Sequence, residues 1–193
     1  MKKVLLVTTL LFSTLATSAQ KNTSQSYIQQ FKDAAIRIMH ETGVPASIVL
    51  GAAMHESACG NSHIARSLNN QFGMKGSGVH TYTDGHNKKI RTSYKQYDSV
   101  LESFEDFARI MTEKKQFSHL SDQYSHYDYR HWAHGIQKSG YCSSRTWASQ
   151  VVDIIKKYQL YMLDEKPSDD DNQQQAQVQS KSQSAPGVTS SHL

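Results

Sequence analysis

The chain has 193 residues, a formal charge of +4, and 37% hydrophobic against 20% charged residues. That length and apolar content suit one domain with a sizeable core, not two. The modest positive balance suits an anionic polymer as well as nucleic acid, and the absence of a dense Lys/Arg stripe argues against the latter.

Met1-Lys2-Lys3 is a short cationic start, Val4 to Leu15 is an almost unbroken apolar stretch, and Ala16-Thr17-Ser18-Ala19 supplies small residues. This three-part pattern predicts a signal peptide over 1–19, too short for a comfortable membrane span. Export to the periplasm, cell envelope or exterior follows. No cysteine stands at the cleavage point, so lipid attachment is not expected. No second long apolar run follows, so a soluble monomer with no stable membrane insertion is expected. Residues 20–164 form the expected domain. From Glu165 onward the chain is Gln, Ser and Asp with almost no large apolar side chain, and 165–193 is expected to be disordered. Loss of Lys2 and Lys3 with the leader, and separation of a tail with four acids against two lysines, leave the domain near +4. The two cysteines, Cys59 and Cys142, are compatible with one disulfide in an exported chain.

Ser26 to Thr42 places Ile28, Phe31, Ala35, Ile38 and Met39 at helical spacing. Gly43 ends that helix and Pro45 opens the next. Pro45 to Ser57 is apolar nearly all round, the mark of a helix inside the core rather than on it. Residues 61–75 are small, polar and punctuated by glycine, and read as loop. Between Thr81 and Tyr97 the period changes: Ile90, Thr92 and Tyr94 alternate with polar neighbours, and Asp84-Gly85 is a turn signal, so a small polar β-hairpin is predicted. Ser99 and Glu102 are spaced as a capping box ahead of Val100, Phe104, Phe107 and Met111. Further helices are predicted over Asp128–Ser139, closed by Gly140, and over about Arg145–Leu160, with Trp147, Val151, Ile154 and Tyr158 on one stripe. The fold class is mainly α.

Met54-His55-Glu56-Ser57-Ala58-Cys59-Gly60-Asn61-Ser62 carries the most chemical information. Glu56 stands at the exit of the driest helix and at the negative end of its dipole. Both surroundings disfavour a charged carboxylate, and a proton donor to a glycosidic oxygen needs its proton in place. The same position suits a solvated helix-terminal Glu with a structural hydrogen bond.

The flanking segments carry a resemblance. Glu56-Ser57 with Gly60-Asn61-Ser62, then Asn69-Asn70-Gln71-Phe72-Gly73-Met74-Lys75, resembles the core motifs of bacterial glucosaminidase domains, glycoside hydrolase family 73. Gly43-Val44-Pro45-Ala46-Ser47 is similar to that family's lead-in to the catalytic helix, and Tyr94-Lys95-Gln96-Tyr97-Asp98-Ser99 to its aromatic-basic segment. Trp132-Ala133-His134-Gly135 and Gly140-Tyr141 are similar to its Trp-Ala-x-Gly and Gly-Tyr motifs, and 154–160 to its closing helix. The likeness covers about residues 26 to 163, with the motifs in order.

This resemblance implies a lysozyme-like α-lobe with a small β-hairpin lobe across a groove for peptidoglycan glycan strands. It implies cleavage after N-acetylglucosamine without a cofactor, Glu56 as general acid, and Tyr141 beside it. Asn70 and Phe72 fall in a loop near the cleft floor, with a purely structural role for both equally open. The sequence departs at the second carboxylate, which many family members carry before the hairpin turn. That register falls near Thr81, and the nearest acid is Asp84. Either Asp84 serves as second carboxylate, or it is simply the turn residue and the substrate's 2-acetamido group acts instead. With Tyr141 beside Glu56, the Cys59 and Cys142 sulfurs would lie close, and a Cys59–Cys142 disulfide is expected. His55-Glu56 opens like a zinc-protease motif but has Cys59 where the second His belongs, and His131 and His134 lack a companion acid, so no metal is expected. Other readings are a weak glycan-binding or envelope-assembly module on this fold, or cleavage at the other glycan linkage.

Overall fold

A computed structural model describes residues 21–84 and 86–164. The leader expected over 1–19 and the tail expected over 165–193 lie outside the described residues.

α1 (Ser24–Thr42) opens on a reciprocal cap: the Thr23 hydroxyl accepts from the Ser26 N–H, and the Ser26 hydroxyl accepts from the Thr23 N–H. It stops at Gly43, whose φ of 75° suits a residue without Cβ. α2 (Ala46–Ser57) is the central helix, with ten of its residues buried, as its all-round apolar sequence predicts. It packs against α1 and against α7 (Trp147–Lys157). Gly51 makes the second contact possible, because a Cβ there would sit 2.9 Å from Ile155 Cγ1. Pro45 offers α2 no side-chain cap. The missing acceptor comes from the other end of the domain, where the 3-10 turn Leu160–Asp164 brings Asp164 to the α2 N-terminus. Its carboxylate accepts from the Ser47 N–H at 2.8 Å and from the Ser47 hydroxyl.

The polar segment after α2, expected to be loop throughout, contains a short helix, α3 (His63–Leu68), capped by the Ser62 hydroxyl. It has too few apolar residues to show a stripe, and the cap and Ala65 and Leu68 carry it. The hairpin forms as β1 (Lys75–Thr83) and β2 (Lys89–Tyr94), antiparallel, with Tyr82 opposite Ile90 and Lys75 opposite Tyr94. β1 begins earlier than the alternation shows. No residue of either strand is buried.

α4 (Val100–Glu113) has Ser99 as its cap, accepting from the Glu102 N–H. Glu102 reaches back one residue further than a capping box requires, to the Asp98 N–H. α5 (Leu120–Gln123) is a single turn, and α6 (Tyr129–Lys138) has the expected end residues Asp128 and Ser139 as its two caps. The domain is thus mainly helical with a two-stranded lobe. One core cluster runs through α1, α2, α4, α6 and α7, with Trp132, Trp147, Phe104, Phe107 and Ile48 among its largest members.

Candidate active site

The cleft lies where the exit of α2 meets the base of the hairpin. It encloses about 270 Å³ and is lined by Glu56, Phe72, Gly73, Met74, Lys75, Tyr94, Tyr141 and Cys142. Each wall has a local cause. Glu56 is on the last turn of α2, half-buried, while the residues before it are in the core. The helix is terminated by three successive residues with positive φ, Ala58 (52°), Cys59 (56°) and Gly60 (75°). Two of these are not glycine, a strained reversal that the Ser57 hydroxyl braces by donating to the Ala53 carbonyl and accepting from the Gly60 N–H.

The floor is Phe72, stacked on Phe107 with ring centroids 4.4 Å apart. Tyr141, in the turn after α6, donates its hydroxyl to the Phe72 carbonyl at 3.3 Å and sets its ring 5.0 Å from that of Trp147. Trp147, the first residue of α7, donates its indole N–H to Glu56 Oε1 at 2.7 Å. Burial, and then the neighbouring Glu56 charge, push the Tyr141 phenol well above its ordinary range. Tyr141 therefore stays protonated, with one hydrogen to donate and an oxygen that can still accept. The Cys142 thiol is raised too, by burial first, with Glu56 adding to it, so it is not a ready nucleophile. On the hairpin side Lys75 holds its ammonium 3.8 Å from the centroid of the Tyr94 ring. Glu56 is the one carboxylate among the described residues lining the cleft.

With this geometry in place, the family model for mannosyl-glycoprotein endo-β-N-acetylglucosaminidase matches residues 32–160. The chain belongs to this glucosaminidase family. Among curated relatives, exo-glucosaminidase LytG of Bacillus subtilis is 29% identical over 154 residues, covering 73% of this chain and 54% of LytG. Peptidoglycan hydrolase FlgJ of Escherichia coli strain K12 is 24% identical over 148 residues, covering 69% of this chain and 46% of FlgJ. The chain thus spans about half the length of these relatives. The solved glycoside hydrolase domain of Salmonella typhimurium FlgJ shares the fold, with a TM-score of 0.57 and 18% identity over 84% of this chain and 98% of that one. These neighbours agree with the lysozyme-like architecture of the glucosaminidase family that the motifs imply.

The glucosaminidase motifs distribute unevenly over the cleft. Glu56, Phe72 and Tyr141 come together in it. Asn70 does not line it: 1% exposed, it donates to the Met74 and Lys95 carbonyls and accepts from the Met74 N–H. It splices the loop after α3 to the base of the hairpin. Asp84 does not line the cleft either. Its carboxylate accepts from the His86 and Lys88 N–H groups inside the turn, nine residues and roughly 30 Å of extended chain from the cleft-lining Lys75.

The expected Cys59–Cys142 disulfide does not form; both thiols are free. The left-handed turn after α2 carries Cys59 toward the foot of α1, where its Sγ is 3.6 Å from Ser24 Oγ, while Cys142 Sγ faces the Ser144 carbonyl. Cys142 lines the cleft and Cys59 does not, and the two sulfurs do not meet.

Trp147, Met74 and Lys75 escaped the reading of site residues. Trp147 was absorbed into the apolar stripe of its helix, although a buried indole N–H needs an acceptor, and that need was the available signal. A larger surface depression, about 350 Å³, lies over Lys95, Asp106 and Arg109. Its charges are spent on one another: Asp106 accepts from Lys95 at 2.8 Å, from Tyr97 at 2.6 Å, and from Arg109. This cluster ties the end of the hairpin segment to α4 rather than forming a second site.

Proposed function

We propose that this chain is an exported peptidoglycan hydrolase that cleaves the glycan strand after N-acetylglucosamine, with Glu56 donating the proton to the leaving oxygen. The observation that carries this reading is the cleft itself, where one carboxylate at the end of a buried helix stands against Tyr141 and across from the hairpin base. The names of the relatives, an exo-glucosaminidase and peptidoglycan hydrolases, supply the substrate class.

With Asp84 engaged in its turn, the second catalytic group is the substrate's own 2-acetamido oxygen. As the C1–O bond breaks, Glu56 gives its proton to the departing oxygen and the acetamido oxygen bonds to C1. Water then opens that ring and returns a proton to Glu56, with net retention. Tyr141 gives its one proton to the Phe72 carbonyl, which leaves its oxygen to accept from the acetamido N–H or a sugar hydroxyl. The glycan strand is the partner, no metal or nucleotide takes part, and the site of action is the cell envelope or beyond it.

Digestion of purified peptidoglycan by wild type and Glu56→Gln tests the assignment. Mass spectrometry of the products is expected to show reducing-end N-acetylglucosamine for wild type only. Equal digestion by both proteins removes Glu56 from its role. The lone carboxylate also favours a second reading, a glycan-binding module of little or no turnover, which predicts retained binding and no digestion by either protein.

A further inference from the structure

We propose that Trp147 is the positioning residue of Glu56, selecting which carboxylate oxygen carries the catalytic proton; this rests on the reading of Glu56 as the acid. The indole N–H donates to Oε1 at 2.7 Å. An indole nitrogen is a donor only, so it neither takes the proton from Glu56 nor accepts one. With Oε1 occupied as acceptor, the transferable proton resides on Oε2. Once that proton has left, the same N–H stabilises the new negative charge, and no group has to move for it to do so.

The donor is rigid for reasons independent of the cleft. Trp147 is 1% exposed and begins α7, the helix that packs closely on α2 at Gly51 and Ile155. Its ring is tilted at 50° against that of Tyr141. The helix carrying the acid and the helix carrying its donor are therefore locked through the core, and the Glu56 side chain inherits that registration. Satisfying a buried indole is not automatic in this molecule: Trp132 is fully buried, and its Nε1 has no hydrogen-bond partner among the described residues.

Trp147→Phe removes the N–H and keeps an aromatic ring. On soluble glycan strands kcat is expected to fall roughly 10²-fold, with KM within about twofold because the N–H touches no substrate. The alkaline limb of the kcat profile moves to higher pH, since the ionised carboxylate has lost its donor. A purely structural role would not move that limb. Against poor folding of the variant, a second measurement uses the unsubstituted tryptophan: intrinsic fluorescence followed against pH in wild type and Glu56→Gln. A transition present in wild type and absent in Glu56→Gln supports the contact, with Trp132 contributing equally to both. A Trp147→Phe enzyme with wild-type kcat and an unmoved limb overturns the proposal, as do superimposable fluorescence titrations. If Glu56→Gln is inactive while Trp147→Phe is unimpaired, only the tryptophan assignment fails. If Glu56→Gln is fully active, the acid reading fails and takes this proposal with it.

Discussion

Replacing Asp164 with Asn tests the most unusual stabilising contact in the fold. Asp164 caps α2 from 117 residues away and is 1% exposed. Burial raises its carboxyl from 3.8 to about 6, although its bonds to Ser47 oppose that rise. A group that titrates near 6 when folded and near 3.8 when unfolded holds more protons in the folded state between those values. Stability therefore falls as pH rises from about 4 to about 6 and is level above that. At 1.36 kcal/mol per pH unit the loss is about 3 kcal/mol. Asn keeps an acceptor for the Ser47 N–H and carries no charge at any of these pH values. The stability of Asp164→Asn relative to wild type should accordingly improve by about 3 kcal/mol between pH 4 and pH 7. Urea unfolding at pH 4, 5, 6 and 7, read as midpoint and slope, measures the difference. Parallel profiles for the two proteins would refute the claim that a charge is buried at that helix end.

Asp106 should behave in the opposite sense. Burial works against its ionisation, but Lys95, Tyr97 and Arg109 together outweigh it and hold the carboxyl below its usual range. Its contribution is present above about pH 4 and lost as pH falls further. Asp106→Asn should cost about 1 kcal/mol at pH 7, because Lys95 and Arg109 are partly exposed and solvent screens the charges left behind, visible as a lower thermal midpoint. The cysteines give a count: denatured, unreduced protein should titrate with two thiols, and in the native state thiol reagents should reach Cys142 through the cleft it lines. A count of zero would restore the disulfide.

The elements that declared themselves in the sequence did so through period and punctuation. α2 was legible because an apolar surface on every side has nowhere to go but the core, and α1 because Gly43 and Pro45 bracket its end. α3 was not, since six residues with two buried side chains carry no period and owe their helix to Ser62. Glu56 was found from its place on a dry helix, and Tyr141 and Phe72 through the family likeness. Trp147 was hidden because its ring and its N–H answer different needs, and a stripe of apolar residues reports only the first. The Cys59–Cys142 pairing failed for a backbone reason. Two left-handed non-glycine residues at 58 and 59 turn the chain away from the direction a helical projection assumes. Asp164 lies 117 residues from Ser47, and no local pattern links them.

The hairpin buries none of its own side chains, and its base is held by polar bonds. Asn70 reaches the Met74 and Lys95 carbonyls, the Lys95 N–H reaches Met74, and the Lys95 ammonium reaches Asp106. The outer hairpin is consequently joined to the domain through its base and adds no buried side chain to the core. Substitutions beyond Lys75 and Tyr94, out toward the turn, should therefore leave the core untouched, because no side chain there is buried. The domain is a packed jaw with a plate hung on its rim, and changes out on that plate should take little toll on folding.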